Sequence, residues 1–405
     1  MKPLLAVITL ALPLLAAETA GPVFRPGGPD AAKYGQSENY PKGPANHDDA
    51  EVQKHAVGAS SHFDELFPTH RVAHGPTVWN FQRAATAPEI HYELDGKRYT
   101  LNDFFDRVPV TGLLIARDDT ILTETYQYAR TDHDRFTGNS MTKTLISMLM
   151  GIAIDEHKIK SAGDPASAYV PALKKSPYGE TPLRELLLMS SGVALDEDAF
   201  WKDVFKPGAD AGQALAKSGT RIEPIGTRFK YSSGDSEVLT TALRRSVGKP
   251  LSVYLSEKIW SPIGAESDAS WAVESADQEI GPWGFNAVLR DYARFGRLLA
   301  FDGAWNGKQL IPKQWVIDAT TTHMSEPQVS PGNASHYYGY GYQIWILPGD
   351  RRMFALIGAE GQYVFVDPKS KLVLVQTAVR LDNQSVASAH SETLALWLAV
   401  VKQFG

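Results

Sequence analysis

Hydrophobic and polar residues are arranged along this chain in two different patterns. Residues 110–128 and 340–377 hold short apolar and β-branched runs bounded by turn residues, which predict antiparallel strands. Between them, residues 158–329 place apolar side chains mostly at helical spacing, and residues 385–404 form one more amphipathic helix pattern. This order predicts an α+β fold, in which helices flank an antiparallel sheet and an all-helical region is inserted between the two halves of the sheet.

The same patterns predict individual elements. The predicted helices cover residues 101–107, 145–153, 251–259, 288–299, 312–320 and 385–404. The predicted strands cover residues 110–116, 121–128, 340–346, 353–357, 361–366 and 372–377.

Four parts are predicted along the chain, and a cleft between the last two would hold a site. They are a signal peptide at 1–17, an extended N-terminal arm at 18–75, an α/β sheet domain at 76–157 together with 336–405, and a helical insert domain at 158–335.

The N-terminal pattern predicts export. Lys2 is basic, the apolar stretch 4–17 is too short to span a bilayer, and Leu15-Ala16-Ala17 offers a small-residue cleavage site. We therefore expect a periplasmic or secreted protein, with an uncleaved membrane anchor as the alternative. No later stretch is apolar enough to span a membrane, so no span is expected after signal removal.

Composition excludes several classes of function. The 405 residues contain no Cys, which removes thiol catalysis and Cys-ligated zinc. The formal net charge is -6 and no long basic run occurs, which argues against nucleic acid as a partner.

A hydroxyl and an amine lie three residues apart at the start of an apolar helix. Ser140 and Lys143 precede the run 145–153, and residues i and i+3 share a helix face, so Oγ and Nζ come within hydrogen-bonding reach. Asn139 is predicted as the N-cap, which places Ser140 in the first turn, where free N–H groups favour developing negative charge. Serine–lysine pairs are one arrangement for nucleophilic catalysis.

A second S-x-x-K sequence has a different context. Ser246 lies at the end of an amphipathic run, and Gly248 and Pro250 end the helix there. Lys249 therefore falls outside the helix, and this copy is interpreted as a helix C-terminus.

Two later segments supply other groups that such chemistry needs. Tyr231 follows a turn at 224–227, so its hydroxyl is able to project into a cleft, although a core or turn tyrosine is the alternative. Gly358 and Gly361 precede a strand and permit close approach of a ligand. A backbone N–H there would complete an oxyanion hole with the N–H of Ser140, with a plain loop as the alternative.

Other catalytic patterns are missing from the sequence. It contains no G-x-S-x-G elbow, no P-loop and no dinucleotide fingerprint. His70 and His74 have the spacing of helical metal ligands, but Pro68 and Gly75 disfavour a helix, so we interpret both as surface histidines. No cofactor and no metal is predicted.

Three segments together resemble the serine β-lactamase and penicillin-recognising superfamily. Ser140-Met141-Thr142-Lys143 matches its S-x-x-K motif, Phe229-Lys230-Tyr231-Ser232-Ser233 the F-x-Y-x-S form of its second motif, and Gly361-Gln362 its third motif. Residues 181–192 and 284–296 resemble two further blocks. The resemblance is to the class C β-lactamase-related branch, which holds esterases, D-aminopeptidases and 6-aminohexanoate-dimer hydrolases.

This resemblance implies an acyl-enzyme mechanism. Ser140 would attack a carbonyl carbon, Lys143 and Tyr231 would act as general base and acid, and water would release the acyl group. Which of Lys143 and Tyr231 is the base stays open. The implied oxyanion and substrate-binding residues are Ser140, Gln362, Gly361, Glu360 and Ser233.

Two departures from the family pattern bear on the substrate. Ala359 and Glu360 occupy the third motif, where many β-lactamases carry a cation that binds a substrate carboxylate. Ser233 replaces the Asn of the second motif. Both disfavour a true β-lactamase and predict that neutral or cationic esters and amides are better substrates than anionic β-lactams.

The leading hypothesis is a secreted serine hydrolase that cleaves a small ester, amide or peptide-like substrate. The alternatives are β-lactamase or D-aminopeptidase activity on cell-wall-like substrates, a penicillin-recognising binding module without turnover, and a metal-dependent hydrolase.

Overall fold

The computed structural model describes residues 20–43, 51–323, 325–379 and 386–405. The predicted signal peptide and the first residue of the predicted C-terminal helix lie outside these ranges. The strands in the described ranges are β1 (Val23–Phe24), β2 (Thr69–Val72), β3 (Gln82–Arg83), β4 (His91–Leu94), β5 (Lys97–Thr100), β6 (Val110–Arg117), β7 (Thr120–Tyr126), β8 (Phe136–Thr137), β9 (Val193–Leu195), β10 (Gly219–Arg221), β11 (Ala269–Ala272), β12 (Phe285–Ala287), β13 (Ala304–Trp305), β14 (Lys308–Gln309), β15 (Gly339–Tyr340), β16 (Trp345–Ile346), β17 (Phe354–Gly358), β18 (Gln362–Asp367) and β19 (Leu372–Ala378).

The helices in the same ranges are α1 (Glu51–Ser61), α2 (Phe63–Leu66), α3 (Leu101–Arg107), α4 (Thr142–Asp155), α5 (Leu183–Leu187), α6 (Glu197–Val204), α7 (Ala211–Ser218), α8 (Ser233–Val247), α9 (Leu251–Leu255), α10 (Leu289–Ala300), α11 (Lys313–Ala319) and α12 (Val386–Phe404). None of them combines the length and the hydropathy needed to cross a membrane.

A nine-stranded sheet forms the centre of the protein. Its order is β1-β7-β6-β19-β18-β17-β16-β15, and β3 also pairs with β7. The central pairs from β7 to β15 are antiparallel, which confirms the predicted antiparallel sheet. β1 and β3 run parallel to β7, so the N-terminal segment adds strand pairing that the sequence pattern did not predict.

Both faces of the central sheet are covered by helices. Leu113 of β6 belongs to the apolar cluster that includes Trp397 of α12, whereas Leu114 belongs to the cluster that includes Leu298 of α10. Successive residues of a strand point to opposite faces, so these clusters mark the two faces of one sheet. Burial on both faces explains why β6, β18 and β19 read as almost continuous apolar runs.

The helix that follows Ser140 is buried around its whole circumference. Every residue of α4 from Thr142 to Ala153 is buried, which is expected for a helix without a polar face. The prediction of a helix at 145–153 is confirmed, and the structure extends it toward Ser140. A 3-10 turn at Asn139–Met141 leads into it.

The predicted helical insert also contains short strands. β11 and β12 join β2 and β8 in a second sheet of order β2-β11-β12-β8. Because β8 ends at Thr137, this sheet fixes the chain just before Ser140. The predicted division of the chain into four parts stays a prediction.

The predicted strand at 340–346 is wrong. β15 and β16 are two short strands that pair with each other across a turn. Gln343 in this turn has a φ of 57° and is buried, and its side chain donates to the carbonyl oxygens of Leu186 and Leu187 and accepts from Ser236 Oγ at 2.6 Å. These hydrogen bonds, which cross to α5 and α8, stabilise the turn in place of a continuous strand.

Candidate active site

Ser140 lies in the 3-10 turn before α4, with its side chain partly exposed. The N–H of Gly138 donates to the carbonyl oxygen of Phe285 in β12 at 2.8 Å. The N–H of Phe285 in turn donates to Thr142 Oγ1 at 3.2 Å. The turn that carries Ser140 is therefore fixed on both sides by the same residue of the second sheet.

Asn139 does not cap α4, so the N-cap prediction is wrong. Its φ is 45°, a left-handed conformation that Asn tolerates better than most residues. Its side chain donates from Nδ2 to the carbonyl oxygen of Ala359 at 3.1 Å. The residue before Ser140 thus joins the first motif to the third.

Lys143 points back along the helix to Ser140. Its Nζ lies 3.0 Å from Ser140 Oγ and 2.8 Å from the carbonyl oxygen of Pro282, and only 2 % of the residue is exposed. Among the described residues, no carboxylate lies within ion-pair distance of this amine. The predicted i,i+3 contact is therefore present, with a backbone carbonyl as the second acceptor.

The aromatic ring of Tyr231 packs against the amine of Lys143. Its ring centroid lies 4.9 Å from Lys143 Nζ. The ring stacks on Trp345 at 5.6 Å and meets Tyr340 edge-on at 6.1 Å, while the residue stays 37 % exposed. Tyr231 is therefore partly exposed, while the projection of its hydroxyl into a cleft stays a prediction.

The loop that carries Tyr231 is held by Met189. The N–H of Lys230 donates to the carbonyl oxygen of Met189 at 2.8 Å, and the N–H of Ser232 contacts Met189 Sδ at 3.3 Å. Met189 itself has a φ of 53°. The position of Tyr231 therefore depends on Met189, which belongs to the segment 181–192 that resembles a further block of the superfamily.

The third motif lies directly against the first. A Cβ atom on Gly358 would stand 2.4 Å from the carbonyl oxygen of Gly138, so no side chain fits there. The turn Ala359–Gly361 follows at this contact, with positive φ at Glu360 and Gly361. Its backbone therefore lies against Gly138 and Asn139, the two residues before Ser140, and the oxyanion hole stays a prediction.

Glu360 brings a carboxyl group to this contact. It is half-buried, and burial raises the pKa of Glu360 to about 7, although a hydrogen bond with the Asn139 side chain acts in the opposite direction. The group therefore changes charge near neutral pH, one residue away from the hydrogen-bonded Ala359.

Two other predicted residues have structural partners. The side chain of Gln362 bonds the N–H and the carbonyl oxygen of Ala378, at 3.1 and 2.7 Å, so its amide is used within the sheet. Ser233 is the first residue of α8, and its N–H donates to Glu197 Oε1 at 3.2 Å. Only the backbone of Gln362 and the side chain of Ser233 thus remain for a ligand.

One helix near the second motif, α6, was not predicted from the sequence pattern. Glu197, Trp201 and Phe205 recur every four residues and share a face of α6 and its C-cap. Trp201 and Phe205 pack against Trp283 at ring distances of 5.7 and 6.5 Å, and Trp283 follows the Pro282 that holds Lys143. This i,i+4,i+8 spacing was the signal that could have identified them.

The rejected patterns lie elsewhere. Gly248 ends α8 with a φ of 67°, and Lys249 beyond it pairs with Glu257, which confirms the interpretation of the second S-x-x-K sequence. His70 lies in β2 and bonds Glu279 and Asp277 rather than forming a helical pair with His74.

Comparison with known proteins agrees with this geometry. The family model described as Beta-lactamase matches residues 102–395. The 6-aminohexanoate-dimer hydrolase of Paenarthrobacter ureafaciens is 26% identical over 340 residues, which cover 80% of this chain and 85% of that protein. An uncharacterized protein of Alkalihalophilus pseudofirmus is 22% identical over 316 residues, 73% of this chain and 88% of its own.

Solved structures share the fold. A Bacillus anthracis protein named as a candidate 6-aminohexanoate-dimer hydrolase superposes with a TM-score of 0.77 at 23% identity, covering 86% of this chain and 95% of that one. EstCE1, a hydrolase with promiscuous acyltransferase activity, superposes with a TM-score of 0.60 at 15% identity, covering 74% and 96%. With a family model that spans most of its length, the chain belongs to the beta-lactamase family and is a serine hydrolase.

Proposed function

We propose that this protein cleaves an ester or amide through an acyl-enzyme on Ser140. The observation that carries the proposal is the 3.0 Å contact between Lys143 Nζ and Ser140 Oγ, in a turn fixed by hydrogen bonds to a separate sheet. A nucleophile within hydrogen-bond reach of an oriented amine is the geometry that activated serines require.

The first half of the reaction forms a bond between Ser140 Oγ and the substrate carbonyl carbon. Lys143 Nζ accepts the hydroxyl proton, because this amine is the group that contacts Oγ. The bond to the leaving alcohol or amine then breaks, and the leaving group takes a proton from the Lys143–Tyr231 pair. Tyr231 is the more exposed member of the pair and therefore the one that reaches the leaving group.

In the second half, water attacks the acyl carbon and transfers a proton to the same pair. The bond from the acyl carbon to Ser140 Oγ then breaks, and Oγ takes a proton back from the pair, which restores the free enzyme. The oxyanion of each tetrahedral intermediate is stabilised by the N–H of Ser140 and by an N–H of the turn Ala359–Gly361. Such donors typically contribute about 10²- to 10³-fold in kcat.

The charges around the site support neutral or cationic substrates. Glu360 lies at the third motif and Glu197 contacts the second motif, whereas no Lys or Arg occupies the turn Ala359–Gly361. Above about pH 7, where Glu360 is ionised, a carboxylate on the substrate would meet like charge at both places, and an ammonium group would meet opposite charge. We therefore propose that anionic β-lactams are poor substrates.

Export is also part of the proposal, because residues 1–17 carry the pattern of a cleavable signal peptide. N-terminal sequencing of the protein from its native host would find a chain that begins at Glu18. A chain that begins at Met1 would contradict this part of the proposal.

Intact-mass spectrometry tests the proposed reaction. The wild type, Ser140→Ala and Lys143→Ala are incubated with a panel of p-nitrophenyl esters and p-nitroanilides while the release of p-nitrophenol or p-nitroaniline is followed. We expect an acyl adduct on the wild type that is absent in Ser140→Ala, together with continuous release. An adduct without turnover would instead indicate a penicillin-recognising binding module, and unchanged activity in Ser140→Ala would refute the mechanism.

A further inference from the structure

The amine of Lys143 donates to a backbone carbonyl group, and the segment that carries this carbonyl is hydrogen-bonded to a different helix, α8. Glu237 lies on α8, is 3 % exposed, and accepts the N–H of Gly281 on Oε2 at 3.2 Å. The next residue, Pro282, accepts from Lys143 Nζ at 2.8 Å. Two hydrogen bonds and the backbone of the two residues Gly281 and Pro282 therefore connect Glu237 to the lysine.

Packing fixes the same peptide against α8. A Cβ atom on Gly281 would stand 1.6 Å from Thr240 Oγ1, so the backbone of Gly281 lies directly on the helix surface. Thr240 is three residues after Glu237 and faces the same way on α8. The backbone of Gly281 thus packs against Thr240, and its N–H donates to Glu237.

We infer that Glu237 is a positioning residue, which sets the carbonyl of Pro282 so that Lys143 Nζ is directed at Ser140 Oγ. The inference rests on the proposed function. The neutral lysine amine that acts as the base has two N–H donors and one lone pair on a flexible four-carbon stem, so its orientation depends on the groups around it. The carbonyl oxygen of Pro282 accepts one N–H of Lys143, and with that hydrogen bond in place Nζ lies 3.0 Å from Ser140 Oγ.

Burial of the Glu237 carboxyl group lowers the stability of the folded state, and its favourable contacts offset part of that cost. Burial raises the pKa of Glu237 to about 7, with Glu274 acting in the same direction. Arg244, the N–H of Gly281 and the Thr241 side chain act against it. A leucine would fill similar volume without this desolvation cost, so the gain from Glu237 lies in its attraction to Arg244 and in the hydrogen bond that it accepts from Gly281.

Three variants separate positioning from packing. Glu237→Gln keeps an acceptor oxygen, Glu237→Leu removes it at similar volume, and Glu237→Asp withdraws it by one methylene. Each is compared with the wild type in kcat and KM for a p-nitrophenyl ester that labels Ser140, and in thermal unfolding followed by circular dichroism.

We expect Glu237→Leu to lower kcat about 10- to 100-fold while KM changes less than about threefold, because a misplacement near 1 Å at a reacting group has effects of this size. Glu237→Gln should retain kcat within about threefold, and Glu237→Asp should fall between them. If Glu237→Leu does not fold, the decrease of kcat in Glu237→Asp at unchanged KM carries the test.

The outcomes distinguish this inference from the proposed function. A folded Glu237→Leu protein with wild-type kcat, or equal losses in the Gln and Leu variants, would overturn the positioning role and leave the acyl-enzyme on Ser140 intact. A wild type whose hydrolysis does not depend on Ser140 would overturn both.

Discussion

Lys143 Nζ and Ser140 Oγ lie 3.0 Å apart across one helical turn, and further hydrogen bonds orient both residues. The turn with Ser140 is bonded to β12, and the amine of Lys143 is bonded to Pro282. The hydroxyl and the amine are therefore oriented before a substrate arrives, which lowers the entropic cost of reaching the transition state.

Ser140→Ala should lower kcat at least about 10³-fold, since removal of a nucleophile leaves only binding and oxyanion stabilisation. The measurement is release of p-nitrophenol together with the mass of the protein. Ser246→Ala is the matched control, because Ser246 belongs to the other S-x-x-K sequence and bonds only within α8, to the Ala242 carbonyl oxygen. An equal loss in both variants would point to a folding defect instead.

Tyr231→Phe should lower kcat about 10²- to 10⁴-fold, the usual contribution of a general acid or base. The ring that stacks on Trp345 remains, so we expect little change in KM or in thermal stability. Tyr337→Phe removes a partly buried hydroxyl of the neighbouring segment and serves as control. Full activity of Tyr231→Phe would leave Lys143 to handle both proton transfers.

Gly358→Ala should reduce activity more than stability. The new Cβ atom would stand 2.4 Å from the Gly138 carbonyl oxygen, so the third motif has to move away from Ser140. We expect a loss of about 10²-fold in kcat, as for removal of one oxyanion donor. Gly163→Ala, whose added atom would meet only Ser161 Oγ at 3.4 Å, should keep wild-type kinetics.

Glu360→Lys should change substrate preference toward anions. It replaces a carboxyl group beside the hydrogen-bonded pair Asn139–Ala359 with a cation. We expect nitrocefin turnover to rise about tenfold relative to a cationic ester, which corresponds to about 1.4 kcal/mol of differential transition-state binding. Glu360→Gln, which removes the charge only, should give a smaller rise in nitrocefin turnover relative to the cationic ester. An unchanged ratio in both variants would show that Glu360 does not face the substrate.

Asp235→Asn should make folding stability less dependent on pH. Burial raises the pKa of Asp235 from 3.8 to about 7, so the folded protein retains a proton between these pH values that the unfolded chain has released. The contribution of Asp235 to the free energy of unfolding therefore falls as pH rises from about 4 to 7, by at most about 4 kcal/mol. Urea unfolding at pH 5 and 8 should show a smaller difference for Asp235→Asn than for the wild type, and equal differences would contradict the raised pKa.

Local pattern was sufficient to predict the helix that follows the first motif and the strand of the third motif, but α8, which begins in the second motif, was not among the predicted helices. The S-x-x-K spacing places Ser140 and Lys143 in contact because helix geometry alone brings i and i+3 together. Local pattern gave wrong predictions of an N-cap at Asn139 and of a strand at 340–346. There, long-range hydrogen bonds to Ala359 and to Leu186 determine the backbone conformation instead. Pro282, which supplies the second acceptor for Lys143, has no local signal, because a backbone carbonyl leaves no trace in residue type.

The hydrogen bond from Asn139 to Ala359 joins positions 220 residues apart in the chain. Loop-closure entropy delays such contacts until most of the intervening chain has become compact. During refolding, the buried helix after Ser140 is therefore able to form well before the third motif arrives beside it. Ester hydrolysis should return later than helical circular dichroism, so recovered turnover is the stricter measure of a correctly refolded molecule.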